Sequence, residues 1–182
     1  FHVASAKAHR FAACYSADGK GGKVLQDDPK TSRYLTAPTF FSGGGGLPST
    51  TADYLSFCRA LLHGEGGGVR LLGPKTLQLM TSNHLPGGKY LPDLSRSLFA
   101  EATYNGVGFG LGFSVTMDPA QTLIPGSKGE FSWGGAATTS FWIDPAEDLI
   151  AIFMTQVLPS GAYPVRRELR TLVYSAITES NG

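Results

Sequence analysis

The chain has 182 residues, enough for one ordinary domain or part of a larger one, and 42% of them are hydrophobic, with 11 Phe and 2 Trp to build a core. Lys and Arg number 15 against 14 Asp and Glu, and the nearest thing to a basic run, Arg166-Arg167 with Arg170, reads as the solvated face of a helix, so no nucleic acid partner is expected. No stretch approaches the roughly 18 consecutive apolar residues of a membrane helix, and the opening "FHVASAKAHR" lacks the basic start and apolar block of a signal peptide, so no membrane partner is expected either.

The chain opens on Phe1 rather than Met, and the true start of the gene product is therefore expected upstream. Residues 1–48 read as mostly irregular, short apolar pieces being separated by the turn clusters "SADGKGGK" and "DDPKTS". Cys14 and Cys58 form no C-x-x-C pair; buried free thiols are the expectation, with a disulfide left open. His2, His9, His63 and His84 show no metal-ligand spacing, and no metal or other cofactor is expected. Four glycines, Gly43 to Gly46, precede a helix start but lack the Lys and Ser/Thr of a phosphate-cradling loop, so they read as a turn.

Ser49, Thr50 or Thr51 can cap the helix that follows, with Asp53 in its first turn. Tyr54, Leu55, Phe57, Cys58, Leu61 and Leu62 form its apolar face, and "HGEGGG" stops it. A short second helix is expected from Pro74, carrying Leu77, Leu79 and Met80, and residues 83–105 read as a long loop of the kind that often serves as a lid. From residue 106 the pattern alternates: Val107, Phe109, Leu111, Phe113, Val115 and Met117 on one side, small residues on the other, which predicts one strand. "TTSFWID" and "DLIAIFMTQ" flank the turn "DPAED" and predict an antiparallel hairpin, its second strand apolar enough to be covered on both faces. A closing amphipathic helix is expected to turn Val165, Leu169, Leu172, Val173 and Ile177 inward and its arginines outward. The class is α+β, with helices and loops over 1–105 and antiparallel strands with a C-terminal helix over 106–182.

A glycine pair in a strand weakens it, and Gly134-Gly135 follow Trp133 at the head of "FSWGGAATTSFWID". Taken by themselves they read as a bulge or a close backbone contact. The ordered set "FSGGGGLPSTTADYLSF", "GFGLGFSV" and "FSWGGAATTSFWIDPAEDLIAIFMTQ" resembles the C-terminal portion of the serine β-lactamase-like superfamily, above all its esterase branch related to class C β-lactamases and penicillin-binding proteins. The resemblance runs from about residue 1 to 178 and implies one β-lactamase/transpeptidase-like domain whose N-terminal portion is missing. It further implies acyl transfer through a covalent acyl-enzyme. Trp133, Gly134 and Gly135 would form a substrate-binding wall, and the N–H of Ala136 would be a donor of the oxyanion hole. Trp133 stands where lactamases carry the lysine of K-T-G, which favours neutral esters over carboxylate-bearing lactams; Lys128 is close in sequence but lies in what reads as a turn. Thr138 takes a position where the superfamily usually has glycine, and as a β-branched residue it suits a strand.

The superfamily's chemistry needs S-x-x-K and a tyrosine motif, Y-x-N or Y-x-S. No serine here has a lysine three positions on: Ser56 has Arg59, and Tyr54-Leu55-Ser56 lies within the amphipathic helix, where Tyr54 reads as a packing residue. Ser132 is a candidate substitute nucleophile without an evident base. Nucleophile and base are thus expected outside this chain, on the N-terminal portion of the same protein, which becomes its expected partner together with a small ester or lactam substrate. A β-lactamase, a D-amino-acid peptidase or an acyltransferase would share the same wall. A domain that lost the nucleophile and serves in binding or self-assembly is the alternative from another class.

Overall fold

A computed structural model describes residues 1–64, 68–94 and 104–181. The first part is more ordered than its turn-rich sequence suggests. After a 3-10 helix at Ser5–Arg10, β1 (Cys14–Ala17) and β2 (Lys23–Asp27) form an antiparallel hairpin. The turn cluster "SADGKGGK" is the hairpin turn, held by Asp18, whose Oδ1 accepts from the N–H groups of Lys20 and Gly22 at 2.8 Å each. Strand β2 leaves Val24 and Leu25 exposed, so it carries none of the burial alternation by which a strand is recognised.

Helix α1 (Thr51–Leu62) starts as expected, Thr50 Oγ1 accepting from Asp53 N at 3.1 Å. It buries Cys58, Ala60 and Leu61 and packs Tyr54 and Leu62, while Leu55 and Phe57 stay largely exposed. Helix α2 (Pro74–Met80) likewise packs Leu77 and Met80 but exposes Leu79. A short α3 (Leu91–Leu94) interrupts the segment expected to be one long loop; residues 95–103 of that segment lie outside the described residues.

The single strand expected after residue 106 is two: β3 (Val107–Phe109) and β4 (Ser114–Thr116) pair antiparallel, Phe109 opposite Ser114. Gly110 N donates to Phe113 O at 2.8 Å and Gly112 takes φ 107°, so a tight turn sits inside an alternation that never breaks in sequence. A side chain at Gly110 would lie 2.0 Å from Met80 O, which is how closely α2 approaches this turn.

A short α4 (Pro119–Thr122) leads to β5 (Phe131–Gly134), β6 (Ser140–Asp144), β7 (Leu149–Phe153), β8 (Val157–Leu158) and α5 (Val165–Ser175). The β6–β7 hairpin forms in the expected place, from Ser140 opposite Phe153 to Asp144 opposite Leu149. One sheet runs β3-β4-β5-β6-β7, antiparallel throughout; β2-β1-β8 form a second, in which β8 runs parallel to β1. Strand β7 is an edge strand whose residues are only half-buried, so its apolar run is not sandwiched as expected.

The large sheet has two unlike faces. Phe131, Phe141, Ile143, Val115 and Phe113 join Cys58 and Leu61 of α1 in the apolar core. The other face presents Ser114, Thr116, Ser132, Trp142 and Asp144 toward α5. The arginines of α5 correct the sequence reading: Arg166 and Arg170 turn inward onto this polar face, Arg167 stays exposed, and Leu172, expected inside, is 68% exposed.

Candidate active site

Strand β5 points successive side chains to opposite faces. Trp133 stands opposite Phe141 in the ladder, on the face of the apolar core; it remains 38% exposed, with its ring edge-on to Phe109 at 5.0 Å between centroids. Gly134 faces the other way, toward α5. A β-carbon built there would lie 2.8 Å from Arg166 Nη2 and 2.9 Å from Thr139 O, and one on Gly135 would lie 2.4 Å from Thr139 Oγ1. At both positions protein atoms thus occupy the side-chain space, as in the close backbone contact that the pair suggests when taken by itself.

Beyond β5 the chain makes a turn over Gly135, Ala136, Ala137 and Thr138, closed by Thr138 N donating to Gly135 O at 3.0 Å. Ala136 occupies the second position of this turn, exposed, and its N–H donates to no described residue. An exposed, unengaged N–H held by a closed turn is the arrangement an oxyanion donor needs. Thr138 is not in a strand, as its β-branching suggested: it is buried in the turn with φ 69°, a conformation that favours glycine. Its Oγ1 donates to Val157 O at 2.6 Å, and Val157 N donates to Ala137 O at 3.0 Å, so β8 braces the turn from one side.

Arg166 braces it from the other. From the first turn of α5 its Nη2 donates to Gly135 O at 2.6 Å and to Thr139 O at 2.8 Å. Thr139 O also receives Gly135 N at 2.9 Å, so the guanidinium closes over both limbs of the turn. Sequence reasoning placed this arginine in solvent. The one signal for it was Gly134 itself, an empty strand position that a large group must fill.

Behind the strand lies a second group the sequence did not disclose. Glu130 and Asp144, both 0% exposed, converge on Tyr174 of α5, whose Oη lies 2.5 Å from Glu130 Oε2 and 2.7 Å from Asp144 Oδ2. Arg170 pairs with the other oxygen of Glu130 and lies over the Trp142 ring. Burial pushes the Glu130 carboxyl up to about 7, against the pull of Arg170 and the Tyr174 hydrogen bond, with Asp144 pushing it up further. Burial, then the Glu130 charge, holds the Tyr174 phenol far above its usual range. A cavity of about 110 Å³ lies between α5 and the sheet, lined by Ser114, Ser132, Trp142, Arg166 and Arg170 among others.

Ser132 faces this same side. Its Oγ lies 2.9 Å from Ser114 Oγ, which donates to Ser132 O at 2.8 Å, and among the described residues no base lies within hydrogen-bond distance of it. Tyr54 packs edge-on against Phe57 and Phe141, and burial raises its phenol to about 12, leaving it protonated at neutral pH. Cys58 is buried, its thiol raised to about 11 by burial; Cys14 is also free but only half-buried. Among the described residues no group of three or more His, Cys, Asp or Glu could hold a metal ion.

Comparison with known proteins gives this geometry its context. The model of a family described as Beta-lactamase matches residues 1–175. Protein Rv1367c of Mycobacterium tuberculosis is 38% identical over 165 residues, which are 87% of this chain and 39% of that protein. Acyltransferase calJ of Penicillium decumbens is 29% identical over 164 residues, 84% of this chain and 38% of that protein. Among solved structures, EstCE1, a hydrolase with promiscuous acyltransferase activity, superposes with a TM-score of 0.69 at 24% identity, over 96% of this chain and 45% of that one. The chain thus spans less than half the length of each of these relatives.

Proposed function

Since the chain belongs to the Beta-lactamase family, we propose that it is the C-terminal wall of a serine hydrolase that cleaves small carboxylic esters through an acyl-enzyme. The serine and its base come from the N-terminal portion of the same protein. The serine oxygen adds to the ester carbonyl while its proton passes to the base. The C–O bond to the alcohol then breaks and the alcohol departs with that proton, after which water releases the acid by the same steps. This chain contributes the Ala136 N–H to the oxygen that becomes negative, and Trp133 to the apolar surface along which the acyl group lies.

The observation that carries the reading is the unengaged Ala136 N–H, exposed at the second position of a turn that follows directly on Trp133-Gly134. Proline is favoured at that position of common turns, so Ala136→Pro removes the donor with little strain. In the full-length protein, hydrolysis of a short-chain p-nitrophenyl ester is expected to fall at least about 100-fold, the usual cost of losing one oxyanion donor. Normal turnover in a folded variant would sink the assignment. No turnover by the intact wild-type protein, with no serine labelled by a fluorophosphonate, would favour a domain of binding or assembly.

An acyltransferase is the second reading, favoured by the names of two similar proteins, Acyltransferase calJ and EstCE1, a hydrolase with promiscuous acyltransferase activity. The two readings part at the second half-reaction, where an alcohol or amine replaces water. Measuring ester and acid products in the presence of an added alcohol separates them.

A further inference from the structure

Arg166 makes two charge-assisted hydrogen bonds from one nitrogen, at 2.6 Å to Gly135 O and 2.8 Å to Thr139 O. The first of these acceptors matters most. The carbonyl of Gly135 and the N–H of Ala136 belong to one peptide unit, which is planar and trans, so the C=O and N–H bonds point in opposite directions in a shared plane and their dipoles add. Fixing the oxygen fixes the direction of the N–H. The positive guanidinium on the oxygen also polarises that N–H as a donor.

Resting on the oxyanion reading above, we propose that Arg166 is a positioning residue for the oxyanion hole, aiming and strengthening the Ala136 N–H from behind the strand. It does not touch substrate: it lies on the α5 side, where the missing side chain of Gly134 leaves it room. Three features converge on this role. Gly134 clears a path that a β-carbon would close, at 2.8 Å from Nη2 and 2.9 Å from the guanidinium carbon. Thr138 N shares the Gly135 oxygen at 3.0 Å, so the peptide is held at its acceptor by two donors. Thr138 Oγ1 and Ala137 O tie the far half of the turn to Val157, so rotation of the 135–136 peptide is resisted from both sides. The second glycine of W-G-G then has a place in the same device: its own N–H donates to Thr139 O, the other carbonyl that Arg166 holds.

The test uses the full-length protein and p-nitrophenyl butyrate, with kcat and KM measured separately for wild type, Arg166→Ala, Arg166→Lys and Ala136→Pro. Oxyanion stabilisation acts in the transition state, so kcat should fall while KM stays nearly constant. Arg166→Ala is expected to lower kcat by roughly 10- to 100-fold, less than outright removal of the donor. Affinity for a trifluoromethyl ketone, which mimics the tetrahedral oxyanion, should fall in parallel, and millimolar guanidinium should restore part of kcat. Arg166→Lys, which keeps the charge and the stem but not the planar fork, should fall between the two. If Arg166→Ala does not fold, the same kcat loss at unchanged KM is read from Arg166→Lys alone. Wild-type kcat in either arginine variant, beside a crippled Ala136→Pro, overturns the role of Arg166 and leaves the oxyanion reading standing. A kcat loss matched by an equal loss of fluorophosphonate-reactive serine means a structural role only and overturns it as well. Full activity in Ala136→Pro removes the oxyanion reading, and the positioning role with it.

Discussion

Trp133 sets the chemistry of the proposed wall with an indole, 38% exposed and edge-on to Phe109. An indole offers apolar area and one N–H donor, whereas a lysine offers a hydrated point charge. Trp133→Lys should therefore raise the preference for a carboxylate-bearing ester over its neutral isostere. A charge pair about 4 Å apart is worth about 4 kcal/mol at an effective dielectric of 20, and exposure cuts this toward about 1 kcal/mol, or roughly fivefold in relative kcat/KM. A ratio of kcat/KM values that does not move would take Trp133 off the substrate-facing wall. This residue was singled out through the resemblance that W-G-G carries, which also implied a strand there. Thr138 was not: nothing in its sequence context signals φ 69°, because a compensating bond to Val157 O comes from 19 positions away. Left-handed backbone costs a side chain roughly 1–2 kcal/mol, which the bond to that distant partner helps to offset.

At the scale of elements, α5 is the instructive case. Its amphipathic period was readable, but which polar residues turned inward was not, since Glu130 and Asp144 stand 44 and 30 positions before Tyr174. A period locates a face; it does not say whether an arginine on that face meets water or a buried carboxylate. The pairing of the β6–β7 hairpin was readable because its turn and strands are contiguous, though not how far β7 is covered, whereas β3 and β4 merged in the reading because the turn at Gly110–Phe113 keeps the alternation intact. The α5 cluster also predicts a pH dependence. Glu130 is raised from 4.5 to about 7 in the folded protein, so the native state holds the extra proton. The stability this group contributes is complete below about pH 4.5 and is lost as pH rises through about 7. Tyr174 donates to Glu130 and favours its ionised form, so Tyr174→Phe should cost more at pH 8 than at pH 5. The loss should be about 1.5–3 kcal/mol at the higher pH, as for other hydrogen bonds to charged groups. Thermal unfolding midpoints of both proteins at the two pH values check this, and a gap independent of pH would place the extra proton elsewhere in the cluster.

At the scale of the whole molecule, the large apolar side chains left in solvent need an account. Phe40, Phe41 and Leu47 are 78%, 66% and 72% exposed, Leu172 on α5 is 68% exposed, and β7 offers its outer edge unpaired among the described residues. A single exposed leucine is ordinary, but aromatic residues clustered before α1, together with an open apolar edge strand, are what a self-standing domain normally covers. The polar face of the sheet, by contrast, is already covered by α5, whose Arg170 and Tyr174 pair with its buried carboxylates. What is missing is therefore apolar cover and strand pairing, not charge. The N-terminal portion of the same protein, proposed above as the source of the serine and its base, would meet both needs, and the chain spans less than half of each relative. The chain of 19.2 kDa made alone should accordingly scatter light as an oligomer and bind a hydrophobic dye. Produced together with the remaining portion, it should instead form a one-to-one complex that binds little dye and hydrolyses a short-chain ester. A monodisperse, dye-free monomer would mean that these surfaces are stable in water and that no covering segment is required. A one-to-one complex without activity would keep the cover and discard the catalytic role assigned to it.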